Sequence, residues 1–256
     1  MLRAARNDDH RKINELTNSP KIEYLLHLAD NALILSQRNS EWCGHGPVLE
    51  QDIAITNISL DLVGQARNLY QYAATLIGNN ATEDGLAYLR KEREFKNCLL
   101  VEQPNGDWAQ TILRQFLFST YQYQLYQQLL NSSDETIRAI AEKSLKEVTY
   151  HVRWSSEWVI RLGDGTEESH SRMLHAIEEL WPYTGELFEK AEYEEAELDK
   201  SQWLQKIEQV FSEATLSVPQ NVFIQKGGKQ GIHTEHLGFI LTELQYMQRA
   251  YPGAEW

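Results

Sequence analysis

From residue 19 onward the chain alternates long stretches of helical periodicity with short polar breaks. Ser19-Pro20 predicts a helix start, with Ser19 as N-cap and Pro20 at the first helical position. Leu25, Leu28, Ala32 and Leu35 then recur in steps of three and four, carrying that helix to about Arg38. Glu41 to Pro47 reads as a loop by its two glycines and closing proline. No proline interrupts Val48 to Ile77, where Ile55, Ile58, Leu62, Leu69, Ala73 and Leu76 form one apolar stripe. Thirty helical residues span about 45 Å, the length of a bundle spine.

Gly78-Asn79-Asn80 closes that helix, and a shorter, highly charged one is expected from Thr82 to about Asn97. Gln103-Pro104-Asn105-Gly106 reads as a turn, with Asp107 placed to cap a helix over Trp108 to Leu130. Asn131-Ser132-Ser133-Asp134 breaks it and caps the next, Glu135 to Leu162, which Gly163 and Gly165 stop. Thr166 to about Leu187 has a helical pattern that Pro182 should kink or break. Residues 189–199 are mostly acidic and read as solvated, as does Glu186 beside them. A short helix is expected over Trp203 to Ala214, an irregular stretch over Val218 to Gly231, and a last helix from Thr234 to about Ala250. The fold class is all-α: an antiparallel helical bundle with peripheral helices, one domain over residues 19–256, preceded by a polar extension at 1–18.

Composition narrows the partners. Hydrophobic residues make up 42% of the 256, enough for a substantial core. A formal net charge of -13 argues against nucleic acid and against anionic membranes. No apolar run approaches the roughly 20 residues of a spanning helix. Met1 to His10 lacks the apolar segment of a secretory signal. Cys43 and Cys98, the two cysteines, give no disulfide framework and suit a reducing, cytoplasmic setting.

The long helices carry part of a metal-site pattern. A carboxylate-bridged di-iron bundle takes Glu-x-x-His from each of two helices and a further Glu from each of two others. Here Asp61-Leu-Val-Gly64 and Glu147-Val-Thr-Tyr150-His151 stand mid-helix, with Gly64 and Tyr150 in the histidine slots. The first helix offers Glu23, His27 and Asp30. Between Trp108 and Ser133 there is no Asp, Glu, His or Cys, only amides, phenols and Arg114. Iron needs several anionic or imidazole ligands, and such a helix supplies none. The residues therefore favour a polar core: Glu147 hydrogen-bonded to His151 at i,i+4, and Asp61 satisfied by Arg67, Asn57 or a neighbouring helix. Gly64 is then expected at a close-packed contact.

Other constellations are weaker. Gly227-Gly-Lys-Gln-Gly231 could cradle a phosphate with backbone N–H groups but lacks P-loop spacing. His233-Thr-Glu-His236 resembles a metal motif, yet Thr234 as N-cap accounts for it. Cys43 and His45 share a loop without a visible catalytic partner.

Several ordered blocks carry a family resemblance. They are Leu33 to Arg38, Glu41-Trp-Cys-Gly-His45, Leu60-Asp-Leu-Val-Gly-Gln-Ala-Arg-Asn68, Leu100-Val-Glu-Gln-Pro-Asn-Gly106 and Lys146 to His151. Glu213 to Gln220 and Gly227 to Gly238 complete the set, across roughly residues 21–256. The chain resembles the C-subunit family of bacterial phenylacetyl-CoA epoxidases. The resemblance implies a ferritin-like subunit of a multicomponent monooxygenase that forms a ring-1,2-epoxide with O₂. It further implies no cofactor on this chain, di-iron on the catalytic A-subunit, and FAD and iron–sulfur on a reductase. Expected partners are that A-subunit, the B-subunit of the same complex, and the reductase. Self-association is a further possibility for the isolated chain. On this reading Asp30, Asp61, Gly64, Glu147, Tyr150 and His151 are vestigial ligand positions. Two loops are expected at the interface, through Glu41, Trp42 and His45 and through Lys229, His233, Glu235 and His236. The competing expectations are an autonomous metal-dependent oxidase with a reduced ligand set, and a storage-type self-assembly without redox work.

Overall fold

The computed structural model describes residues 19–194, 197–252 and 254. The expected extension at 1–18 lies outside the described residues. Four long helices dominate: α1 (Pro20–Ser40), α2 (Leu49–Ile77), α5 (Trp108–Leu129) and α6 (Glu135–Gly163). Between α2 and α5 lie the short α3 (Glu83–Tyr88) and α4 (Leu99–Glu102). Beyond α6 come α7 (Glu167–Leu180), α8 (Lys200–Glu213), α9 (Glu235–Leu244) and α10 (Tyr246–Ala250). No strand occurs among the described residues.

Chain connectivity fixes the arrangement. Short loops make α1/α2 and α5/α6 two antiparallel hairpins that pack lengthwise, and α2 closes the bundle against α6. The crossover between the hairpins, residues 78–107, is the single long connection of a ferritin-like bundle. The core runs through all four: Leu25, Ile55, Leu62, Ile112, Phe116 and Val159 are each shielded from solvent. Burying each such side chain contributes about 1.5–3 kcal/mol. Trp108, at the start of α5, takes edge-on contacts from Trp42, Trp154 and Trp158, which locks the first loop to α6.

Most helix ends follow the expected chemistry. Asp107 accepts from the Gln110 N–H, and Asp134 from those of Thr136 and Ile137. Gly78 ends α2 at φ 66°, a conformation that favours glycine. Ser19 and Thr234 hold N-cap positions without capping through their side chains.

Three expected elements differ. The helix expected over 82–97 covers only Glu83–Tyr88, because Arg90 and the Lys96 N–H turn inward to Asp30. Pro182 breaks its helix outright, leaving two 3₁₀ turns, Trp181–Tyr183 and Gly185–Phe188. The last helix divides at Gln245, whose amide donates to the Ala87 and Arg90 carbonyls.

Candidate functional site

At mid-bundle, α2 and α6 run antiparallel, so side chains one turn apart pair in reverse order. Asp61 meets His151, and Gln65 meets Glu147. His151 Nε2 donates to Asp61 Oδ2 at 3.1 Å, since a carboxylate can only accept. His151 is fully buried and its Nδ1 has no partner, while the Asp61 side chain is 36% exposed. Gln65 Nε2 donates to Glu147 Oε2 at 3.0 Å. From α5, Tyr126 Oη and Gln122 Nε2 both donate to Gln65 Oε1, at 3.0 and 3.3 Å. The buried amide of Gln65 is thus the hub of the bundle centre.

This geometry corrects two expectations. Glu147 and His151 do not bond to each other along α6; each takes a partner from α2. Gly64 is not a close-packed contact: a Cβ built there would meet nothing within 4 Å. Tyr150 lies half-buried beside the His151 ring and under Arg153. Sequence reasoning missed Gln65, although it stands four residues after Asp61 and therefore on the same face.

Asp30, expected at the same centre, belongs to a different cluster. Its buried carboxylate accepts from Tyr70 Oη, the Arg90 guanidinium and the Lys96 N–H. Arg90 also lies over the Tyr70 and Phe95 rings. Arg114, the one cation of α5, points to the turn after α4 and donates to the Gln103 and Pro104 carbonyls and Asn105 Oδ1. Burial, and then the nearby Arg38 charge, pull its pKa down to about 9.

The donor set can be tested against a di-iron centre. The bundle centre offers two carboxylates and one imidazole in two separate pairs, and α5 adds an amide and a phenol. Among the described residues no group of three or more His, Cys, Asp or Glu is gathered as a metal would require. Two irons need several such ligands around a shared point, so these residues do not fit that group.

The C-terminal loops form a second polar region. Glu186, expected on a solvated face, is 1% exposed. Its carboxylate accepts from the Gly227 and Lys229 N–H groups and from the Leu99 N–H. The glycine loop that resembled a phosphate cradle is a nest already filled by this carboxylate. Burial raises the Glu186 pKa, and these backbone donors oppose the rise. Gly228 permits the contact, since a Cβ there would fall 2.3 Å from the Asn97 carbonyl oxygen.

Of the expected interface residues, Lys229 and His233 are corrected to internal ones. Lys229 is buried and its ammonium binds Glu194 at 3.0 Å and the Glu189 carbonyl at 2.8 Å. Glu194 is therefore not part of a solvated acidic face either. His233 donates from Nδ1 to Glu102 (2.8 Å) and from Nε2 to the Phe95 carbonyl (2.9 Å), so both ring nitrogens carry protons. Burial alone would lower its pKa, but the Glu102 hydrogen bond and charge raise it. Glu102, itself fully buried, also accepts from Asn97 and from the N–H and hydroxyl of Thr234. Glu41 and His45 stay at the surface, Trp42 is half-buried with its indole donating to Thr111, Glu235 is exposed and His236 half-buried. His45 turns to the Cys43 carbonyl.

Residues 5–256 match the family described as Phenylacetic acid catabolic protein. The chain belongs to this family. It is similar to the C-subunit of 1,2-phenylacetyl-CoA epoxidase from Escherichia coli (strain K12). That relative is 46% identical over 254 residues, covering 95% of this chain and 100% of its own length. The ferritin-like, all-α fold expected from the resemblance is the one observed. No helix among the described residues is long and apolar enough to cross a membrane.

Proposed function

We propose that this chain is a non-catalytic structural subunit of a phenylacetyl-CoA epoxidase complex. In this role it pairs with and stabilises the di-iron catalytic A-subunit in aerobic phenylacetate catabolism. The observation that carries the reading is the bundle centre, where Gly64 and Tyr150 hold the histidine slots and Glu147 is bonded to Gln65, itself held by Gln122 and Tyr126 of the ligand-poor α5. Similarity to the C-subunit of an epoxidase supports the assembly, and a subunit implies others that meet it. The B-subunit together with a flavin and iron–sulfur reductase completes the proposed complex, which works in the cytoplasm.

The chain's own part is mechanical. Its four long helices supply a packed surface for that pairing, and its polar centre is hydrogen-bonded across α2, α5 and α6. Co-expression with the A-subunit tests this: a stable pair is expected, with iron on that catalytic partner and little on this chain purified alone. Stoichiometric iron on the isolated chain, lost in Asp61→Ala or Glu147→Ala, together with oxygen uptake, would establish the autonomous oxidase in its place.

A further inference from the structure

A cavity of about 530 Å³ opens between α5, α6 and α8, on the far side of α5 from the polar centre. Gln122 and Tyr126 of α5 turn toward Gln65, whereas Tyr123, Gln124 and Gln127 line this cavity. Its volume lies within the roughly 300–1,000 Å³ of small-molecule sites. The floor reaches the core, since Thr120, Ser156 and Val210 line it and are buried. Tyr123, Val152 and Ile160 add apolar wall, and the exposed Arg153 and half-buried Lys206 stand at the mouth.

The polar atoms of the floor are acceptors without donors to spare. Thr120 Oγ1 donates to the Phe116 carbonyl at 2.8 Å and Ser156 Oγ to that of Val152 at 2.5 Å, so each hydroxyl proton is used within its own helix. What each oxygen still offers is its lone pairs. Gln124 Oε1, also shielded from water, meets no donor among the described residues. An acceptor buried in this way is costly, so a donor entering here gains more than it would at the surface. That donor is neutral, because an ammonium among uncharged acceptors would lose its hydration without a counter-charge. At the mouth the cations are uncommitted. Arg153 lies over the Tyr150 ring and Lys206 touches Gln209 Oε1 at 3.5 Å, and neither forms an ion pair among the described residues.

We propose that this cavity binds a small hydroxylated aromatic acid. The ring packs among Tyr123, Val152 and Val210, and its hydroxyl donates to Gln124 Oε1. The carboxylate meets Arg153 and Lys206 at the mouth. Glu157 and Glu213 share that mouth and oppose any acid that misses the two cations, which makes the carboxylate's position selective. An acid without the hydroxyl leaves Gln124 unpartnered, and a phenol without the acid leaves the cations unused. The proposal stands on this cavity and not on the reading of the bundle centre, and iron plays no part in its test.

Calorimetric titration of the full chain tests it, with ortho-, meta- and para-hydroxyphenylacetate as probes. At least one isomer should saturate below millimolar concentration. Phenylacetate, which lacks the hydroxyl, and the matching hydroxyphenylethanol, which lacks the acid, should each bind about tenfold or more weakly. Gln124→Leu should erase the preference for the hydroxyl while the chain melts no lower than before. Arg153→Gln, at an exposed position, should erase the preference for the acid and keep that for the hydroxyl, and Glu157→Gln should tighten binding. The same affinity is expected in the complex co-purified with the catalytic A-subunit. No saturation by any isomer, equal binding of phenylacetate, or binding indifferent to both Gln124→Leu and Arg153→Gln would overturn the proposal. So would binding that disappears in the complex, since the cavity would then be the seat of another subunit.

Discussion

The two polar regions of the molecule treat their carboxylates in opposite ways. At the bundle centre Asp61 is a third exposed and has one donor, and half-buried Glu147 likewise takes one. At the crossover and C-terminal loops, Asp30 and Glu102 are 0% exposed and Glu186 1%, and each accepts from three or more donors. Buried charge is stable only where donors replace water, so the number of partners tracks the depth. The centre of a metal-bearing bundle concentrates its anions around a shared point. Here the dense electrostatics lie outside that centre, where they tie α1, the crossover and the C-terminal loops together. The centre keeps only a thin ladder between α2 and α6.

That contrast gives an ordered set of expected effects. Asp30→Ala leaves the Arg90 guanidinium buried and unpaired, and should destabilise by about 3–5 kcal/mol in denaturant unfolding. Glu186→Ala strands the Leu99, Gly227 and Lys229 N–H groups and should cost about 3 kcal/mol, with Glu186→Gln milder. Asp61→Asn should cost about 1 kcal/mol or less, because its carboxylate is partly solvated. A larger loss at Asp61 than at Glu186 would break the comparison.

The pH dependence sharpens it, through two histidines of opposite sign. His27 is neutral: Nδ1 donates to the Lys96 carbonyl, and Nε2 accepts from Asn31. Burial, then the Lys229 charge, push its pKa down to about 3. Its stabilisation is therefore complete above about 6.5, the unfolded value, and lost as pH falls toward 3. His233, with its pKa raised, stabilises fully below about 6.5, and that contribution is lost as pH rises through the raised value. Replacing His27 with Gln should flatten the acid limb of the stability profile, and replacing His233 with Gln the alkaline limb. Matching changes on the same limb would contradict the assignment.

The long helices were legible because a stripe such as Ile55, Ile58 and Leu62 repeats a local geometry many times. The caps Asp107 and Asp134 were legible for the same reason, since each acts within three residues of itself. What escaped were contacts between distant segments. Nothing local distinguishes Glu186, in an acidic stretch, from a solvated carboxylate; its donors lie about forty and ninety residues away. The same holds for Arg90, which cut short a helix that its own neighbours favoured. At the centre, the ligand-poor α5 was visible in composition alone. Gln65, beside the Gly64 that holds a histidine slot, carries no signal of its own, since its partners Glu147, Gln122 and Tyr126 come from other helices. The cross-helix pairing followed only from the antiparallel register of α2 and α6.

The central claim is that this bundle supports chemistry performed elsewhere. The most direct measurement places Asp61→Asn, Glu147→Gln and His151→Gln together in this chain within the co-purified complex. Iron content and epoxidation of phenylacetyl-CoA are then read per assembled complex. Unchanged iron and unchanged turnover are expected, with only a modest fall in melting temperature. Loss of iron together with turnover, in a complex that still assembles and melts normally, would contradict it.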